Sequence, residues 1–153
     1  MKHISERGLR LIQSFESLRL EAYKCEAGKW TIGWGHTGPD VKPGMKIIQV
    51  QADELFMQDV IRKAENPVNK LPNVDCLTQN QFDALCSLAF NAGAAVAPQN
   101  SIWRCMKIKD WAGVAYMIPK WKYVTDPITK EKRVSRGLVN RRLREKELFE
   151  RNC

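Results

Sequence analysis

The chain has 153 residues, 44% hydrophobic and 27% charged, and its 25 Lys and Arg against 17 Asp and Glu leave a formal charge of +8. These proportions are those of one globular domain with a buried core, and they exclude a disordered chain and a collagen-like repeat. The charges in MKHISERGLRLIQSFE stand too close together for a signal-peptide core or a spanning helix, so synthesis in a cytosol is expected. The cationic balance draws the chain to polyanions, whether nucleic acid, a membrane surface or an anionic cell wall.

The first element is an amphipathic helix. Ser5 is its N-cap, Ile4 and Leu9 form a hydrophobic staple, and Leu9, Ile12 and Phe15 recur at helical spacing until an end near residues 16 to 18. From Ala22 to Gly38 the texture changes to AYKCEAGKWTIGWGHTG, where Gly28 separates two short runs and Trp30, Ile32 and Trp34 alternate with smaller residues. That pattern predicts a small β-hairpin region. A longer helix is expected from about Val50 to Asn66. Leu55, Phe56, Val60 and Ala64 make its apolar side, Gln51, Asp53, Glu54, Gln58 and Asp59 its polar side, and Pro67 marks its end or a kink. Ile48 stands where a capping Ser or Thr would open it, which predicts a ragged start.

Thr78-Gln79-Asn80-Gln81 has capping-box form and opens the run Phe82, Leu85, Cys86, Ala89, closed by Gly93. Shorter helices follow from Ile102 to Lys107 and after Asp110, the second stopping before Pro119. The basic stretch from Pro119 to Val134 reads as a long loop or as a hairpin about Thr125-Asp126-Pro127. Ser135 then caps a last helix to about Glu150, with Leu138, Leu143, Leu148 and Phe149 as its apolar positions. A short helix, a little β-structure, a long helix and a helical remainder make an α+β arrangement.

Cys25, Cys76, Cys86, Cys105 and Cys153 are odd in number and irregularly spaced, with no paired C-x-x-C, so reduced thiols are expected. His3 and His36 lack the H-E-x-x-H spacing of a catalytic zinc site, and no metal or other cofactor is expected. Glu16, at a helix end before a Gly-rich hairpin, reads on local features either as an exposed helix-end carboxylate or as a general acid.

The run from Glu16 to Cys25, continued by Glu26-Ala27-Gly28-Lys29-Trp30-Thr31-Ile32-Gly33-Trp34-Gly35-His36-Thr37, resembles the signature of phage-type lysozymes, glycoside hydrolase family twenty-four. That family sets a Glu, eight residues, an Asp or Cys, five residues and a Thr in this order, and here they are Glu16, Cys25 and Thr31. LTQNQFDALCSLAFNAG from Leu77 and GLVNRRLREKELF from Gly137 resemble the same family. The resemblance implies a two-lobed lysozyme-like fold within a single domain, residues 1–153. A small β-containing lobe would occupy about 15–50, a connecting helix 50–70, and a helical lobe 71–153 packed with the N-terminal helix.

The implied activity is that of an endolysin: hydrolysis of the β-1,4 bond between N-acetylmuramic acid and N-acetylglucosamine in peptidoglycan, by single displacement with inversion. Glu16 would be the general acid, Cys25 would hold the usual Asp position, and Thr31 would position water. A thiol, with its ordinary pKa of about 8.5, is mostly neutral near pH 7 and offers less stabilisation of an oxocarbenium-like state than a carboxylate. Strand alternation would point the neighbouring Glu26 the other way. The resemblance further implies an Arg141 that pairs with Glu16, a structural ion pair between His36 and Asp59, and a substrate cleft near Phe90 and Asn91. Phe90 is equally a core residue, whereas the Asn91 amide can both donate to and accept from sugar groups.

Three rivals stand beside this reading. A lytic transglycosylase would use the glutamate without water, and a wall-binding relative with little turnover would follow from Cys25 replacing the carboxylate. A nucleic-acid binder would use the basic C-terminal third, whose field Glu131, Glu145, Glu147 and Glu150 break. The expected partners are peptidoglycan glycan strands and, indirectly, a membrane-pore protein (holin) that releases a monomeric enzyme from the host cytoplasm to the periplasm or wall.

Overall fold

Ser5 accepts the Gly8 N–H at 3.3 Å and opens α1 (Glu6–Phe15) in the computed structural model, which describes residues 1–151. The Cys153 thiol lies outside the described residues; Cys25, Cys76, Cys86 and Cys105 are free. After α1 the chain forms β1 (Arg19–Lys24), β2 (Trp30–Gly33) and β3 (His36–Thr37), an antiparallel sheet in the order β1-β2-β3. Tyr23 stands opposite Thr31, and Thr31 opposite Thr37. The expected alternation in β2 is blunted. Thr31, Ile32 and Gly33 are all buried, because β2 runs between β1 and β3 and packs on the next helix.

That helix is α2 (Gln49–Asp59), and the Ile48 N–H donates to Gln51 Oε1 at 3.0 Å, so the reciprocal half of a capping box closes a start that lacks a capping hydroxyl. Pro67 does not end the helix. The chain widens into a π-helical segment, residues Val60–Glu65, and continues as α3 (Asn66–Asn69). Proline has no N–H and its ring crowds the carbonyl four residues back, and a π segment relieves both by shifting the pairing by one residue. Asp59, expected on the polar side, is buried beside Phe56 and Val60.

Thr78 Oγ1 accepts the Gln81 N–H at 3.1 Å and Gln81 Oε1 accepts the Thr78 N–H at 2.9 Å, which opens α4 (Gln79–Asn91). Every residue of α4 from Phe82 to Phe90 is buried, because α1, the π segment and the last helix surround it. The helices α5 (Ser101–Lys107) and α6 (Trp111–Met117) follow, the latter capped by Asp110. A single 3-10 turn then absorbs Pro119. Of the two readings left open for the basic stretch, the hairpin is realised: β4 (Tyr123–Thr125) pairs with β5 (Lys132–Val134). Asp126 Oδ1 shapes its loop by accepting the Ile128 and Thr129 N–H groups at 2.8 and 2.9 Å.

Ser135 caps α7 (Arg136–Glu150). The inward stripe of α7 is Arg141, Arg142, Glu145, Leu148 and Phe149, while Leu143, expected inside, is 53% exposed. The buried positions share one face at i, i+3 and i+4 spacing, and three of them carry charges that pair with one another. The result is a two-lobed α+β fold, with the small sheet and the helical lobe joined by the long helix.

Candidate active site

Glu16 is the C-cap of α1, its N–H donating to the Ile12 carbonyl at 3.1 Å, so the chain turns away there and frees the side chain. The carboxylate is 19% exposed and accepts from Arg141 Nη1 at 2.8 Å. Its other side meets Gly35, which adopts φ +78°; a Cβ there would lie against Oε2 and 2.7 Å from Cδ. Only glycine permits both that backbone angle and that approach. Arg141 Nε donates to Glu145 Oε2 and Nη2 to the Ser87 carbonyl, each at 3.2 Å. The Arg141 and Arg144 guanidiniums lie 4.8 and 4.9 Å from the Phe15 ring centre, a cation–π arrangement that steadies the end of α1.

Cys25 sits in the turn after β1, where the Lys29 carbonyl accepts both the Cys25 N–H at 2.9 Å and the Thr31 hydroxyl at 3.0 Å. One backbone oxygen thus brings these two residues together. Cys25 also lines a cavity of about 890 Å³ between the lobes, whose wall includes Glu26, Lys29, Asn91, Trp121 and Lys132. Glu16 and Thr31 are not part of that wall, and Thr31 is buried on β2.

Glu26 departs from the strand reading. It lies in the turn with Cys25 and lines the same cavity, and its carboxylate accepts from Arg133 Nη1 at 3.1 Å and from Ser135 Oγ at 2.9 Å. Gly28, at φ +79°, lets this turn close on the other hairpin, since a Cβ there would stand 2.9 Å from Pro127 Cγ. Asn91 lies in the cavity wall, but Phe90 does not: it is buried, its ring 5.8 Å from that of Phe56.

His36 places Nδ1 2.8 Å from Asp59 Oδ2 and Nε2 2.8 Å from Asp40 Oδ2. Both ring nitrogens are taken by carboxylates, so the imidazole ties β3 to α2. The hydrogen bond from His36 holds the Asp40 carboxyl below the usual carboxylate range. Asp59 also accepts from Arg62 Nη2 at 2.9 Å.

Tyr23, Gly35 and Ser87 belong to this neighbourhood and were not singled out by sequence reasoning, where Glu145 entered only as a charge that breaks the basic field. Burial pushes the Tyr23 phenol up, and the charge of Glu16 adds to the effect. The signals for Gly35 and Glu145 were present in the Gly33-Trp34-Gly35 punctuation and in the four-residue spacing of Arg141 and Glu145. Nothing local marks Ser87 or Tyr23.

The family model described as phage lysozyme matches residues 13–145, a span that holds Glu16, Cys25, Thr31 and Arg141. The chain belongs to the phage lysozyme family. It is similar to the endolysin of Acyrthosiphon pisum secondary endosymbiont phage 1, 39% identical over 150 residues that cover 97% of this chain and 98% of that protein. It is also similar to the endolysin of Bacillus phage PZA, at 39% over 148 residues, and spans 54% of that longer protein. The solved endolysin from Escherichia coli O157:H7 phage FAHEc1 superposes with a TM-score of 0.80 at 36% identity, covering 97% of this chain and 94% of that one. The phage-type lysozyme described here is therefore a peptidoglycan-hydrolysing glycoside hydrolase. Among the described residues no helix is long and apolar enough to cross a membrane.

Proposed function

We propose that the chain cleaves the β-1,4 bond between N-acetylmuramic acid and N-acetylglucosamine, with Glu16 as the general acid. The observation that carries this reading is the setting of Glu16, held on Oε1 by Arg141 and admitted on its other side by Gly35. A carboxyl group there can protonate the leaving oxygen as the anomeric carbon gains positive charge. Cys25 occupies the second position, beside Lys29 and Lys132 in the cavity wall, and acts on the attacking water or on the developing charge. Because the Thr31 hydroxyl donates to the Lys29 carbonyl, its lone pairs are left to accept from that water. Water then adds in one displacement with inversion.

The Asn91 amide binds the sugar, His36, Asp59 and Arg141 support the site, and Phe90 contributes packing beneath it. Residues 15–50 act as the small lobe, 50–70 as the connecting helix and 71–153 as the helical lobe. The enzyme works as a monomer on glycan strands and lyses the host after a holin releases it from the cytoplasm to the wall. Salt weakens its approach, since a net charge of +8 favours anionic walls.

The test is digestion of purified sacculi followed by mass spectrometry of the fragments. Reducing N-acetylmuramic acid termini are expected. Anhydro-muramic termini would make the enzyme a lytic transglycosylase, and binding without release would make it a wall-binding relative. A Cys25→Ser variant of full activity would remove the thiol from the mechanism.

A further inference from the structure

We propose that Glu145 is a positioning residue: from inside the helical lobe its carboxylate, with the Ser87 carbonyl, occupies two edges of the Arg141 guanidinium and leaves only Nη1 for Glu16. The inference rests on the reading of Glu16 as the general acid.

Glu145 is 0% exposed and lies one helical turn beyond Arg141 on α7. Its Oε2 accepts from Ser87 Oγ at 2.5 Å, from Arg141 Nε at 3.2 Å and from Arg142 Nη2 at 3.2 Å. Its Oε1 lies 2.7 Å from Arg142 Nε, an ion pair without hydrogen-bond alignment. Each nitrogen of the Arg141 guanidinium therefore has its own acceptor: Nε has Glu145, Nη2 the Ser87 carbonyl and Nη1 Glu16 Oε1.

The consequence is chemical. An unrestrained arginine meets a carboxylate as a fork, with two parallel N–H bonds holding both oxygens ionised. With Nε and Nη2 occupied, Arg141 reaches only Oε1, and Oε2, the oxygen facing Gly35, stays free to carry the proton that a general acid must deliver. The groups that face Glu16 are Arg141 from α7 and Tyr23 from β1; those that face Glu145 are Arg141 and Arg142 from its own helix and Ser87 from α4. Burial pushes the Arg142 guanidinium down to about 10, so it stays protonated at neutral pH, and Glu145 is the carboxylate that offsets it. Removing the Glu145 charge releases the Nε edge, so only the Ser87 carbonyl keeps the guanidinium from turning a second N–H onto Glu16, and a second bond favours the ionised and inactive form of the acid.

The experiment is the pH profile of kcat and KM on sacculi for Glu145→Gln, for the double variant Arg142→Met/Glu145→Gln, and for Glu145→Asp, assayed below their melting temperatures. The double variant deletes the buried pair together, so it keeps the charge balance where the single variant leaves an unpaired guanidinium. In both Gln variants kcat should fall roughly tenfold to a hundredfold with KM little changed, and the alkaline limb should move down by about one pH unit. Glu145→Asp should return the limb towards wild type. A folded Gln variant with wild-type kcat and an unmoved alkaline limb would overturn the proposal. An active Glu16→Gln variant would instead overturn the reading beneath it, so the two failures are separable.

Discussion

Replacing Gly35 by alanine tests how tightly the Glu16 carboxylate, proposed as the general acid, is held. The added Cβ would stand 2.7 Å from Glu16 Cδ, whereas non-bonded carbons rest at about 3.5–4.0 Å, so the carboxylate must retreat by roughly 1 Å. A displacement of that size at a reacting group costs on the order of a hundredfold in kcat. The backbone adds its own penalty, since alanine at φ +78° is strained by about 1–2 kcal/mol. In a chain of 153 residues that strain lowers Tm by about 3 to 6 °C. Turnover on sacculi and a thermal melt followed by circular dichroism read the two effects separately. Wild-type kcat with the expected fall in Tm would refute the link between Gly35 and Glu16, and an unchanged Tm would refute the strain.

Arg141→Ala leaves Glu145 with Arg142 and Ser87 and takes from Glu16 the cation bonded to it; denaturant unfolding should show a loss of about 3 kcal/mol together with a large fall in kcat. Tyr23 makes stability depend on alkaline pH. Its folded phenol keeps its proton above the usual value of about 10, so its contribution is complete below that pH and is lost as pH climbs through the raised folded value. Tyr23→Phe has no phenol to titrate and should lack this alkaline loss, so its unfolding curve and that of wild type should part as pH climbs through that range; Glu16→Gln, which removes one of the causes, should let Tyr23 titrate earlier by ultraviolet absorbance. Cys86 is fully buried and its thiol is pushed far up, chiefly by burial, so a thiol reagent should label the exposed Cys76 in the native protein and Cys86 only after unfolding. Equal labelling rates would contradict the packing of α4.

The parts legible in the sequence were those with local causes. Thr78 and Gln81 bond each other's backbone, so the start of α4 could be read from four residues. The three residues proposed for the site, Glu16, Cys25 and Thr31, lie within one short hairpin-bearing stretch, so the proposal could be made from local spacing alone. The misread parts were decided at a distance. Leu143 reads as one of the apolar positions of α7, yet the inward face goes to Arg141, Arg142 and Glu145, whose burial rests on one another and on Ser87. Glu26 reads as a strand residue because nothing local shows that β1 ends at Lys24. Pro67 reads as an end or a kink because the rule presumes α-helical pairing, and the π segment ahead of it removes the premise for an end. Phe90 and Asn91 are neighbours at the end of α4, where a rotation of about 100° per residue sends one ring into the core and the other side chain to the cavity.

The central claim, that Glu16 supplies the proton for glycosidic cleavage, is tested most directly by comparing wild type and Glu16→Gln on sacculi. The glutamine keeps the size of the side chain and an acceptor for Arg141 Nη1 but cannot donate an acidic proton. Fragments ending in reducing N-acetylmuramic acid should appear with wild type and be lost with Glu16→Gln at an unchanged melting temperature. Comparable release by both would contradict the account.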